Sequence, residues 1–321
     1  MVRYLSEKDV EQLLTMPLAL ELVEQAFRDR ALGRAVDVPR VRTRIPGSTL
    51  HIMQAGAPAL KLVGYKAYFH AAGKGTSYYL HLYNSDTGKL DAIIQSSRIG
   101  WIRTGAASGV ATRCLARENA AVLGMIGAGK QLMGQLEAMC NVRPIREARI
   151  WNRTAETARK FCETMAARFP QVTLRHVATA REAVRGADII NVMTKSSTPL
   201  LLGEWLEPGQ HINAIGSNSL ARQEIDMAAV RRSAVLVVDS RGAARAEGGD
   251  LLPLIEEGLL EWDSLPELGE VLTGRTPGRT REDEITLYES HGMAMQDLYV
   301  GARLLALARE RGIGLELPID G

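Results

Sequence analysis

Cysteine is scarce in this sequence, and its cysteines form no recognisable pattern. Cys114, Cys140 and Cys162 are odd in number and widely spaced, so no two of them stand in the C-x-x-C arrangement of metal and redox sites. We therefore expect no disulfide framework and no metal site built on cysteine. Buried thiols are typical of proteins in a reducing compartment, which predicts a cytoplasmic location.

Long apolar runs and a strong excess of one charge are also absent. No apolar run reaches the ~18 residues of a membrane-spanning helix, and the N-terminal stretch MVRYLSEKDVEQLL is too polar for a signal peptide. The formal net charge of +2 gives no reason to expect nucleic acid or a membrane surface as a partner. With 321 residues, 46% of them hydrophobic, the chain is long enough for about two domains and a large core.

What the sequence does contain is a glycine turn between an apolar strand and a helix. Residues 121–126 have the pattern of a strand buried on both faces, Gly127 and Gly129 follow directly, and a helix is predicted over residues 131–140. Such a turn lets the backbone approach a pyrophosphate, and the helix N-terminus offers free N–H groups. An ordinary βαβ unit with a tight turn is the alternative. A second predicted strand, at residues 148–151, completes the order expected of a dinucleotide site and favours that interpretation.

The end of this second strand indicates which cofactor is bound. A site for NAD usually has Asp or Glu here, about 20 residues after the glycines, to hold the ribose 2′-hydroxyl. The present sequence has Asn152, Arg153 and Thr154, whose side chains can donate hydrogen bonds to a 2′-phosphate. The third glycine position of the fingerprint is Leu132, although Gly134 is close. We therefore predict NADPH as the cofactor, with NADH possible.

Strands and helices continue to alternate after this unit. The apolar segments ADIINVMT, HINAIGSNS and AVLVVDS are predicted strands, which indicates a doubly wound parallel sheet of the α/β class. Because ligands bind such sheets at the C-terminal ends of the strands, the candidate ligand contacts are residues 127–131, 152–154, 193–196 and 215–219. Residues 243–274 are predicted to be helical, and a final helix is predicted over residues 293–311.

The first third of the chain has a different pattern, with two helices followed by the strands of a smaller antiparallel sheet. The strand VPRVRTRIP puts Arg40, Arg42 and Arg44 on one face, and LVGYKAYF puts Lys66 in the middle of an apolar strand. Lys66 is either a solvated lysine on an edge strand or a cleft lysine held for an anion, and the sequence leaves both open. Arg103 stands near the start of a predicted helix, where the helix dipole disfavours a cation, so a bound anion would account for it.

Two further features stay open at this stage. Tyr65, Tyr68, Tyr78 and Tyr79 either line a substrate pocket or belong to the core of the sheet. His291 is either a loop histidine or a contact at the edge of the cofactor, and the residues alone favour the loop histidine.

Several ordered motifs together carry a resemblance to a known family. The stretches VRTRIP, RTGAASGVATRCLA, IGAGKQ, RIWNRT, GEWLEPGQHINAIGS and HGMAMQD make the chain similar, along nearly its whole length, to the ornithine cyclodeaminase/mu-crystallin family, and in particular to its ketimine reductases. The resemblance implies a substrate-binding and dimerisation domain over residues 1–117 and 293–321, and a Rossmann domain for NADP over residues 118–292. It also implies homodimers joined through their N-terminal sheets.

The resemblance assigns roles to individual residues. Arg42, Lys66 and Arg103 would bind the substrate carboxylate, and Lys66 would be the catalytic lysine, whose pKa nearby cations would lower. Asn218 would lie near the substrate, at a place where cyclodeaminases and related alanine dehydrogenases carry Asp. The implied cofactor-binding residues are Gly127, Ala128, Gly129, Lys130, Gln131, Asn152, Arg153, Thr154, Met193, Thr194, Ile215, His291 and Thr76.

These observations predict an NAD(P)H-dependent reductase for cyclic or N-substituted ketimine carboxylates of the pyrroline-2-carboxylate or piperideine-2-carboxylate type, giving L-amino acids. An ornithine cyclodeaminase or an alanine-dehydrogenase-type enzyme is the alternative, but the amide of Asn218 cannot act as a carboxylate base. A protein that only binds NADPH or a small ligand is the third interpretation. Mere binding of NADPH would not need Arg42, Lys66 and Arg103 together, which argues against it.

Overall fold

The computed structural model of the chain describes residues 1–319, which divide into two compact units. The first unit contains Met1–Thr104 and the segment from Gly292 onward, and the second contains Gly105–His291. The assignment of residues 1–117 and 293–321 to substrate binding, and of residues 118–292 to the cofactor, stays a prediction.

The first unit begins with a strand, two helices and five further strands. Its N-terminal elements are β1 (Val2–Leu5), α1 (Glu7–Leu13), α2 (Met16–Ala31), β2 (Val36–Ile45), β3 (Ser48–Ala57), β4 (Leu62–Ala71), β5 (Gly75–Asn84), β6 (Leu90–Gln95) and the start of α3 (Ser97–Leu115). Helix α1 begins with a capping box, because the Ser6 side chain accepts from the N–H of Asp9 and the Asp9 carboxylate accepts from the N–H of Ser6.

The second unit alternates strands with helices. Its elements are β7 (Val122–Ile126), α4 (Leu132–Val142), β8 (Glu147–Trp151), α5 (Ala155–Met165), β9 (Thr173–His176), α6 (Ala180–Val184), β10 (Ile189–Val192), β11 (His211–Ala214), α7 (Met227–Arg232), β12 (Val235–Val238), α8 (Arg241–Glu247), α9 (Leu252–Glu256), α10 (Leu268–Leu272) and β13 (Thr286–Glu289). The chain then returns to the first unit with α11 (Ala294–Arg311) and β14 (Leu315–Leu317).

The sheet of the second unit confirms the predicted α/β class. Its seven strands have the order β12-β13-β11-β10-β7-β8-β9, and all neighbouring strands are parallel. The strand order reverses between β7 and β10, with β8 and β9 on one side and β11 on the other. This is the topological switch point of a Rossmann-type sheet, where ligands bind at the C-terminal strand ends. The glycine turn follows β7 and therefore lies at this point.

Gly134, close to the third glycine position of the fingerprint, lies where two helices meet. A Cβ atom added to Gly105, on helix α3, would lie 2.2 Å from the main-chain oxygen of Gly134, on helix α4. The two helices therefore approach each other closely where both lack a side chain.

The sheet of the first unit is mixed rather than purely antiparallel. Its seven strands have the order β14-β1-β6-β5-β4-β3-β2. The predicted antiparallel run from β2 to β6 is present, but the prediction missed β1, which pairs parallel with β6, and β14, which pairs antiparallel with β1. Helix α11 packs on this sheet, because a Cβ atom added to Gly64 would lie 3.0 Å from Cδ1 of Leu298.

The region over residues 243–274 that is predicted to be helical consists of short segments. The structure has three α-helices there, α8, α9 and α10, and a 3₁₀-helix at Trp262–Ser264. Glycine interrupts the stretch at Gly248, Gly249 and Gly258, and Gly258 has a φ of 70° that L-residues rarely adopt. A Cβ atom added to Gly249 would lie 2.0 Å from the main-chain oxygen of Arg222, so close chain contact also requires glycine.

A ladder of polar side chains crosses the core of the second unit. His211 Nδ1 lies 2.9 Å from Thr286 Oγ1, and its Nε2 lies 3.2 Å from Asn213 Oδ1. Asn213 donates to Asn191 Oδ1 at 2.9 Å, and Asn191 donates to Gln135 Oε1 at 3.1 Å. Burial lowers the pKa of His211 to about 3, so the ring is neutral in the folded protein.

Within residues 1–319, none of the helices has the length and apolar character that crossing a membrane requires. In the same part of the chain, no three or more His, Cys, Asp or Glu side chains are grouped so that they could hold a metal ion. The thiols of Cys114, Cys140 and Cys162 form no disulfide there.

Candidate active site

Lys66 is a buried lysine, and it does not lie on an edge strand. Strand β4, which carries Lys66, pairs with β3 on one side and β5 on the other, and only 3% of the Lys66 surface is exposed. The side chain projects from the face on which α11 packs, since it alternates in phase with Gly64. Because a buried charge must be paired, this position favours the interpretation of Lys66 as a functional cation.

Asp297, on helix α11, bridges Lys66 and Arg103. Its Oδ1 lies 2.8 Å from Lys66 Nζ, and its Oδ2 forms an ion pair with Arg103 Nε at 3.2 Å. Gln296 adds a hydrogen bond, accepting from Arg103 Nη1 at 2.8 Å. Lys66, Arg103 and Asp297 together carry one net positive charge in a buried place. A buried group of this charge suits a small anion.

The environment also changes the acidity of the lysine. Burial lowers the pKa of Lys66 to about 8; Asp297 opposes this shift, and the guanidinium groups of Arg103 and Arg40 add to it. An ammonium group with this pKa can release its proton near neutral pH. Lys66 therefore has the acidity that a proton donor in catalysis requires.

A bulge in β2 brings Arg40 to the same cluster. The pairing of β2 with β3 shifts between Val38 and Val41, and Arg40 lies in this irregular stretch. A Cβ atom added to Gly292 would lie 3.0 Å from Arg103 Nη1 and 3.5 Å from Arg40 Nη2. The two guanidinium groups therefore flank the same glycine, which leaves space for both.

Arg42, to which the resemblance assigns the carboxylate, lies opposite His51 in the pairing of β2 with β3. Burial lowers the pKa of His51 to about 4, and the charges of Arg42, Arg40 and Arg44 add to this shift. The three arginines thus act on one histidine. The role of Arg42 toward the substrate stays a prediction.

Stacked aromatic rings extend the surface beside Lys66. His51 and Tyr68 stack with ring centroids 4.2 Å apart, and Tyr68 and Tyr78 stack with centroids 5.4 Å apart. Lys66 Nζ lies 6.0 Å from the centroid of the Tyr78 ring. We call this side of the sheet the cationic face, defined by Arg42, His51, Lys66, Tyr68 and Tyr78.

The four tyrosines that the sequence left open divide between the two sides of the sheet. Tyr65 lies opposite His81 and Tyr79 lies opposite Ala67, on the side away from Lys66. Tyr65 stacks on His81 there, with centroids 4.6 Å apart. Of the four, Tyr68 and Tyr78 can therefore contribute to a surface that includes Lys66.

Sequence reasoning did not single out Asp297 or Gln296, and it named Arg40 only as one of three arginines on a strand. A signal was present, since Asp297 lies in HGMAMQD and begins an apolar helical stretch. An acidic side chain on the buried side of a helix requires a cationic partner. The partner of Asp297 could have been sought in Lys66, because Lys66 too stands in an apolar segment.

The turn after β7 has the form that a dinucleotide phosphate requires. Gly127 has a φ of 105°, and a Cβ atom there would lie 2.8 Å from the main-chain oxygen of Met193. By contrast, a Cβ atom on Gly129 would have no neighbour within 4 Å, so the backbone is open on that side. Helix α4 begins three residues later, at Leu132, and its first N–H groups suit an anion. These residues fit a bound dinucleotide.

Asn152 joins the glycine turn to the end of β8. Its Oδ1 accepts from the N–H of Ala128 at 3.0 Å, and its Nδ2 donates to the carbonyl of Thr154 at 3.0 Å. The Asn152 side chain therefore shapes this loop. Arg153 and Thr154 are exposed beside it.

Of three other predicted cofactor residues, two lie in the glycine turn and one lies in the first unit. Lys130 is exposed and Gln131 is half-buried, and both lie in the glycine turn itself. Thr76 lies on β5 in the first unit, where its hydroxyl is 3.0 Å from His70 Nδ1. The cofactor role of Thr76 stays a prediction, as do those of the other assigned residues.

The ends of β10 and β11 lie side by side beyond the glycine turn. Met193 donates its N–H to the carbonyl of Ile126 at 2.9 Å, and the N–H of Ile215 donates to Val192 at 2.8 Å. A Cβ atom on Gly127 would lie 3.0 Å from Thr194 Cγ2. Met193, Thr194 and Ile215 thus lie at the C-terminal edge of the sheet, where the sequence predicts contacts with the cofactor.

His291 and Asn218 shape the loop that follows β11. His291 lies in the loop after β13 and is buried: its N–H donates to Asp239 Oδ2 at 2.8 Å, and its Nδ1 lies 3.0 Å from the carbonyl oxygen of Ser217. A contact of His291 with the cofactor stays a prediction. Asn218 Oδ1 accepts a hydrogen bond from Arg222 in the same loop.

One unit contains a Rossmann-type sheet with a phosphate-binding form of glycine turn, and the other contains a buried lysine–carboxylate–arginine cluster. Together these features define a class of α/β proteins built for a dinucleotide and a small anion. Comparison with known proteins agrees, because the model of the ornithine cyclodeaminase/mu-crystallin family matches residues 2–307. The chain belongs to this family, and the predicted resemblance is confirmed.

Individual relatives match along nearly their whole length. A Delta(1)-pyrroline-2-carboxylate reductase of Bacillus cereus is 35% identical over 321 residues, covering 97% of this chain and 98% of the relative. The structure of Thermococcus litoralis Delta(1)-pyrroline-2-carboxylate reductase, in complex with NADH and L-proline, is 32% identical with a TM-score of 0.93, covering 98% of this chain and 100% of that one. An archaeal alanine dehydrogenase dimer with bound NAD is 30% identical with a TM-score of 0.92, covering 99% of each chain.

Proposed function

We propose that this protein reduces the C=N bond of a ketimine carboxylate with NAD(P)H, giving an L-amino acid. Cyclic or N-substituted ketimines of the pyrroline-2-carboxylate and piperideine-2-carboxylate type are the expected substrates. The observation that carries the proposal is the buried cluster of Lys66, Arg103 and Asp297, because its charge suits a carboxylate and its lysine suits a proton transfer. The similarity to two Delta(1)-pyrroline-2-carboxylate reductases supports the same chemistry.

Each side chain of the cluster has its own role in the proposed reaction. Arg103 and Arg40 offer guanidinium groups to the substrate carboxylate, and each charge-assisted hydrogen bond contributes about 1.5–3 kcal/mol. Lys66 holds the proton that the imine nitrogen needs, and Asp297 orients the ammonium group and favours its protonated form. When bound, NAD(P)H supplies the hydride that the imine carbon accepts.

Within this proposal, NADPH is the preferred cofactor and NADH the second. Arg153 and Thr154 are exposed at the end of β8, and no carboxylate stands in the Asn152-Arg153-Thr154 triplet to repel a 2′-phosphate. The relatives solved with NADH and with NAD support a nicotinamide cofactor in general.

The protein also forms a homodimer through the side of the first sheet opposite to the cationic face. Large apolar side chains are exposed on that side, and an apolar patch on a sheet typically marks an interface. These residues are Val36, Val38, Val41, Ile45, Val63 and Phe69. The archaeal alanine dehydrogenase solved as a dimer supports the same state for this chain. The cytoplasmic location stays a prediction.

Oligomeric state tests the dimer directly. The double variant Val63→Glu/Phe69→Glu is expected to sediment as a monomer, because it puts charges in the apolar patch. Leu259→Glu, an exposed leucine of the second unit, is the matched control and leaves the dimer unchanged. A wild-type protein that sediments as a monomer at micromolar concentration overturns this part of the proposal.

The reaction is tested with purified protein, NADPH or NADH, and preformed pyrroline-2-carboxylate and piperideine-2-carboxylate. We expect loss of absorbance at the nicotinamide band and formation of the cyclic L-amino acid. Lys66→Ala abolishes turnover, whereas Lys61→Ala, an exposed lysine paired with Asp86, leaves it unchanged. No absorbance loss with either imine overturns the substrate assignment.

The alternative reaction is oxidative deamination, as in an alanine dehydrogenase or a cyclodeaminase. The similarity to the archaeal alanine dehydrogenase supports this alternative. Against it, Asn218 has an amide in place of a carboxylate, and that amide accepts a hydrogen bond from Arg222. Ammonia release from ornithine or alanine with catalytic NAD establishes the alternative. Binding of NADPH without turnover of any imine or amine favours a binding protein.

A further inference from the structure

One buried carboxylate joins the loops that follow β10 and β11. Glu224 has no exposed surface; its Oε1 accepts a hydrogen bond from the main-chain N–H of Thr194, and its carboxylate packs directly against Gly216. Val192 and Ala214 are paired at the ends of the two strands, so Thr194 and Gly216 are each two residues beyond that pair. The carboxylate therefore contacts the two loops at equivalent points.

The Glu224 carboxylate is closely packed against the main chain of the two loops. A Cβ atom added to Gly216 would lie 2.5 Å from each carboxylate oxygen of Glu224 and 2.1 Å from the main-chain oxygen of Thr194. Only glycine fits at this position. The two loops and the carboxylate are thus packed against one another in a single geometry.

The main chain of Glu224 is itself fixed. Its carbonyl accepts the N–H groups of Leu200 at 2.8 Å and Leu201 at 3.1 Å. Its own N–H donates to the carboxylate of Asp250, which also accepts from Ile225 at 3.0 Å. The position of the Glu224 side chain is therefore determined by main-chain hydrogen bonds on both sides.

Stability alone does not account for an acid at this place. Burial and the charge of Asp250 raise the pKa of Glu224 to about 7, so the fold disfavours the ionised form, which is the stronger acceptor for the Thr194 N–H. Glu289, also buried, has a pKa raised well above its ordinary value beside Asp250. Neighbouring buried acids disfavour each other's ionisation, and this costs stability. We therefore expect such acids to serve a function.

The location of the two loops indicates what that function is. In a dinucleotide site the adenosine half lies toward the strand after the glycine turn, here β8, and the pyrophosphate lies at the turn. The nicotinamide half then extends over the ends of β10 and β11. We propose that Glu224 is a positioning residue that holds the main chain after these two strands in the form that receives the nicotinamide half of the cofactor, an inference that rests on the proposed function.

The test is Glu224→Gln, which keeps the shape but removes the negative charge from the hydrogen bond with the Thr194 N–H. We expect the dissociation constant of NADH, from nicotinamide fluorescence, to rise roughly tenfold, as loss of one charged hydrogen bond implies. In the cofactor-free protein, peptides containing Thr194 and Gly216 exchange amide hydrogen faster than in the wild type. At saturating cofactor, the KM for the imine stays unchanged.

Asp188→Asn is the matched control at the opposite edge of the same sheet. The Asp188 carboxylate accepts the N–H groups of Ala121 at 2.8 Å and Val122 at 2.9 Å, before β7 begins its glycine turn. This variant is expected to lower the melting temperature while leaving the dissociation constant of NADH unchanged. Glu224→Asp, which keeps the charge but shortens the side chain, repeats the test if Glu224→Gln does not fold, and it too weakens NADH binding.

Three outcomes overturn the inference. A Glu224→Gln protein with wild-type NADH affinity and wild-type amide exchange removes the positioning role. Equal losses of affinity in Glu224→Gln and Asp188→Asn assign the effect to general destabilisation. If the wild-type protein itself does not bind NADH or NADPH, the proposed function fails along with the inference, whereas binding that the variant retains overturns the inference alone.

Discussion

The ammonium nitrogen of Lys66 lies 2.8 Å from Oδ1 of Asp297, although 231 positions separate the two residues in the chain. The pair joins the middle of β4 to the first turn of α11 in the first unit. Since both side chains are almost fully buried, the carboxylate opposes the effect of burial on the pKa of Lys66 and favours the protonated lysine.

Replacing Asp297 by Asn is expected to shift the alkaline limb of the pH profile to lower pH. Asp297 raises the pKa of Lys66, so its removal lets burial and the two arginines lower that pKa below about 8. If protonated Lys66 supplies the proton, kcat/KM falls as pH rises through this pKa. The variant therefore loses more activity at mildly alkaline than at mildly acidic pH.

The measurement is the pH dependence of kcat/KM for imine reduction, in the wild type and in the variant. Asp29→Asn serves as control, because Asp29 is also buried in the first unit but pairs with the hydroxyl of Tyr299. A uniform loss across the pH range, with no shift of the limb, would contradict the role of Asp297.

Replacing Arg103 by Lys should weaken binding of the substrate carboxylate. The guanidinium group contacts Asp297 and Gln296 at once, and a lysine cannot make both contacts and a third to the substrate. Loss of one charge-assisted bond raises the KM for the imine roughly tenfold to a hundredfold. Arg98→Lys, at the start of the same helix α3, leaves KM unchanged because Arg98 pairs with Glu11, and equal effects of the two variants would refute the assignment.

Alanine in place of Gly127 and of Gly129 separates stability from cofactor binding. Gly127→Ala strains a backbone at φ 105° and meets Met193, so we expect it to unfold at lower temperature. Gly129→Ala meets no protein atom within 4 Å, and its methyl group extends into the space that a phosphate requires. That variant keeps the wild-type melting temperature but binds NADPH at least tenfold more weakly; unchanged binding would mean that the turn does not hold the phosphate.

Arg153→Ala is expected to change the cofactor preference. The exposed guanidinium group contributes a charge-assisted contact to a 2′-phosphate and nothing to a 2′-hydroxyl. The kcat/KM for NADPH therefore falls roughly tenfold while that for NADH stays the same. Arg159→Ala, on the neighbouring helix α5, changes neither value. A wild-type enzyme that already prefers NADH clearly would refute the NADPH prediction.

His211 links the stability of the second unit to pH. The unfolded chain binds a proton at this histidine near pH 6.5, whereas the folded protein binds it only near pH 3, because burial disfavours the charged ring. Stability therefore falls as pH is lowered below 6.5. In His211→Gln, which retains hydrogen-bonding groups for Thr286 and Asn213, we expect a smaller fall in the free energy of unfolding between pH 6.5 and mildly acidic pH, measured by urea denaturation. An identical slope would exclude His211 as the source.

The local signals in the sequence were sufficient for most of the fold. A glycine turn and an apolar strand are decided within a few residues, which is why β7 and α4 were predictable. Strand β1 was not, because its four residues form a strand only by pairing with β6 and β14 from distant parts of the chain.

The candidate site was predictable in part for the same reason. Lys66 was noticeable as a cation in an apolar strand and Arg103 as a cation near a helix N-terminus, but which carboxylate would pair with them depends on where α11 returns. Arg40 was obscured because simple alternation along β2 treats it like Arg42, and the bulge at this point changes the direction of the chain. Glu224 gave no local signal, since it contacts main-chain groups of two separate loops, at Thr194 and Gly216.

Successive side chains of β4 point to opposite sides of the sheet, and the two sides have different roles. Even-numbered residues such as Lys66 and Tyr68 belong to the cationic face, and odd-numbered ones such as Val63 and Phe69 belong to the exposed apolar side. Deleting one residue in the middle of this strand would exchange the two sets over half its length, burying apolar groups at the lysine position and exposing the lysine. Length variation among homologues should therefore collect in the turn at residues 72–74 and avoid the strand, whereas substitutions can alter one surface without disturbing the other.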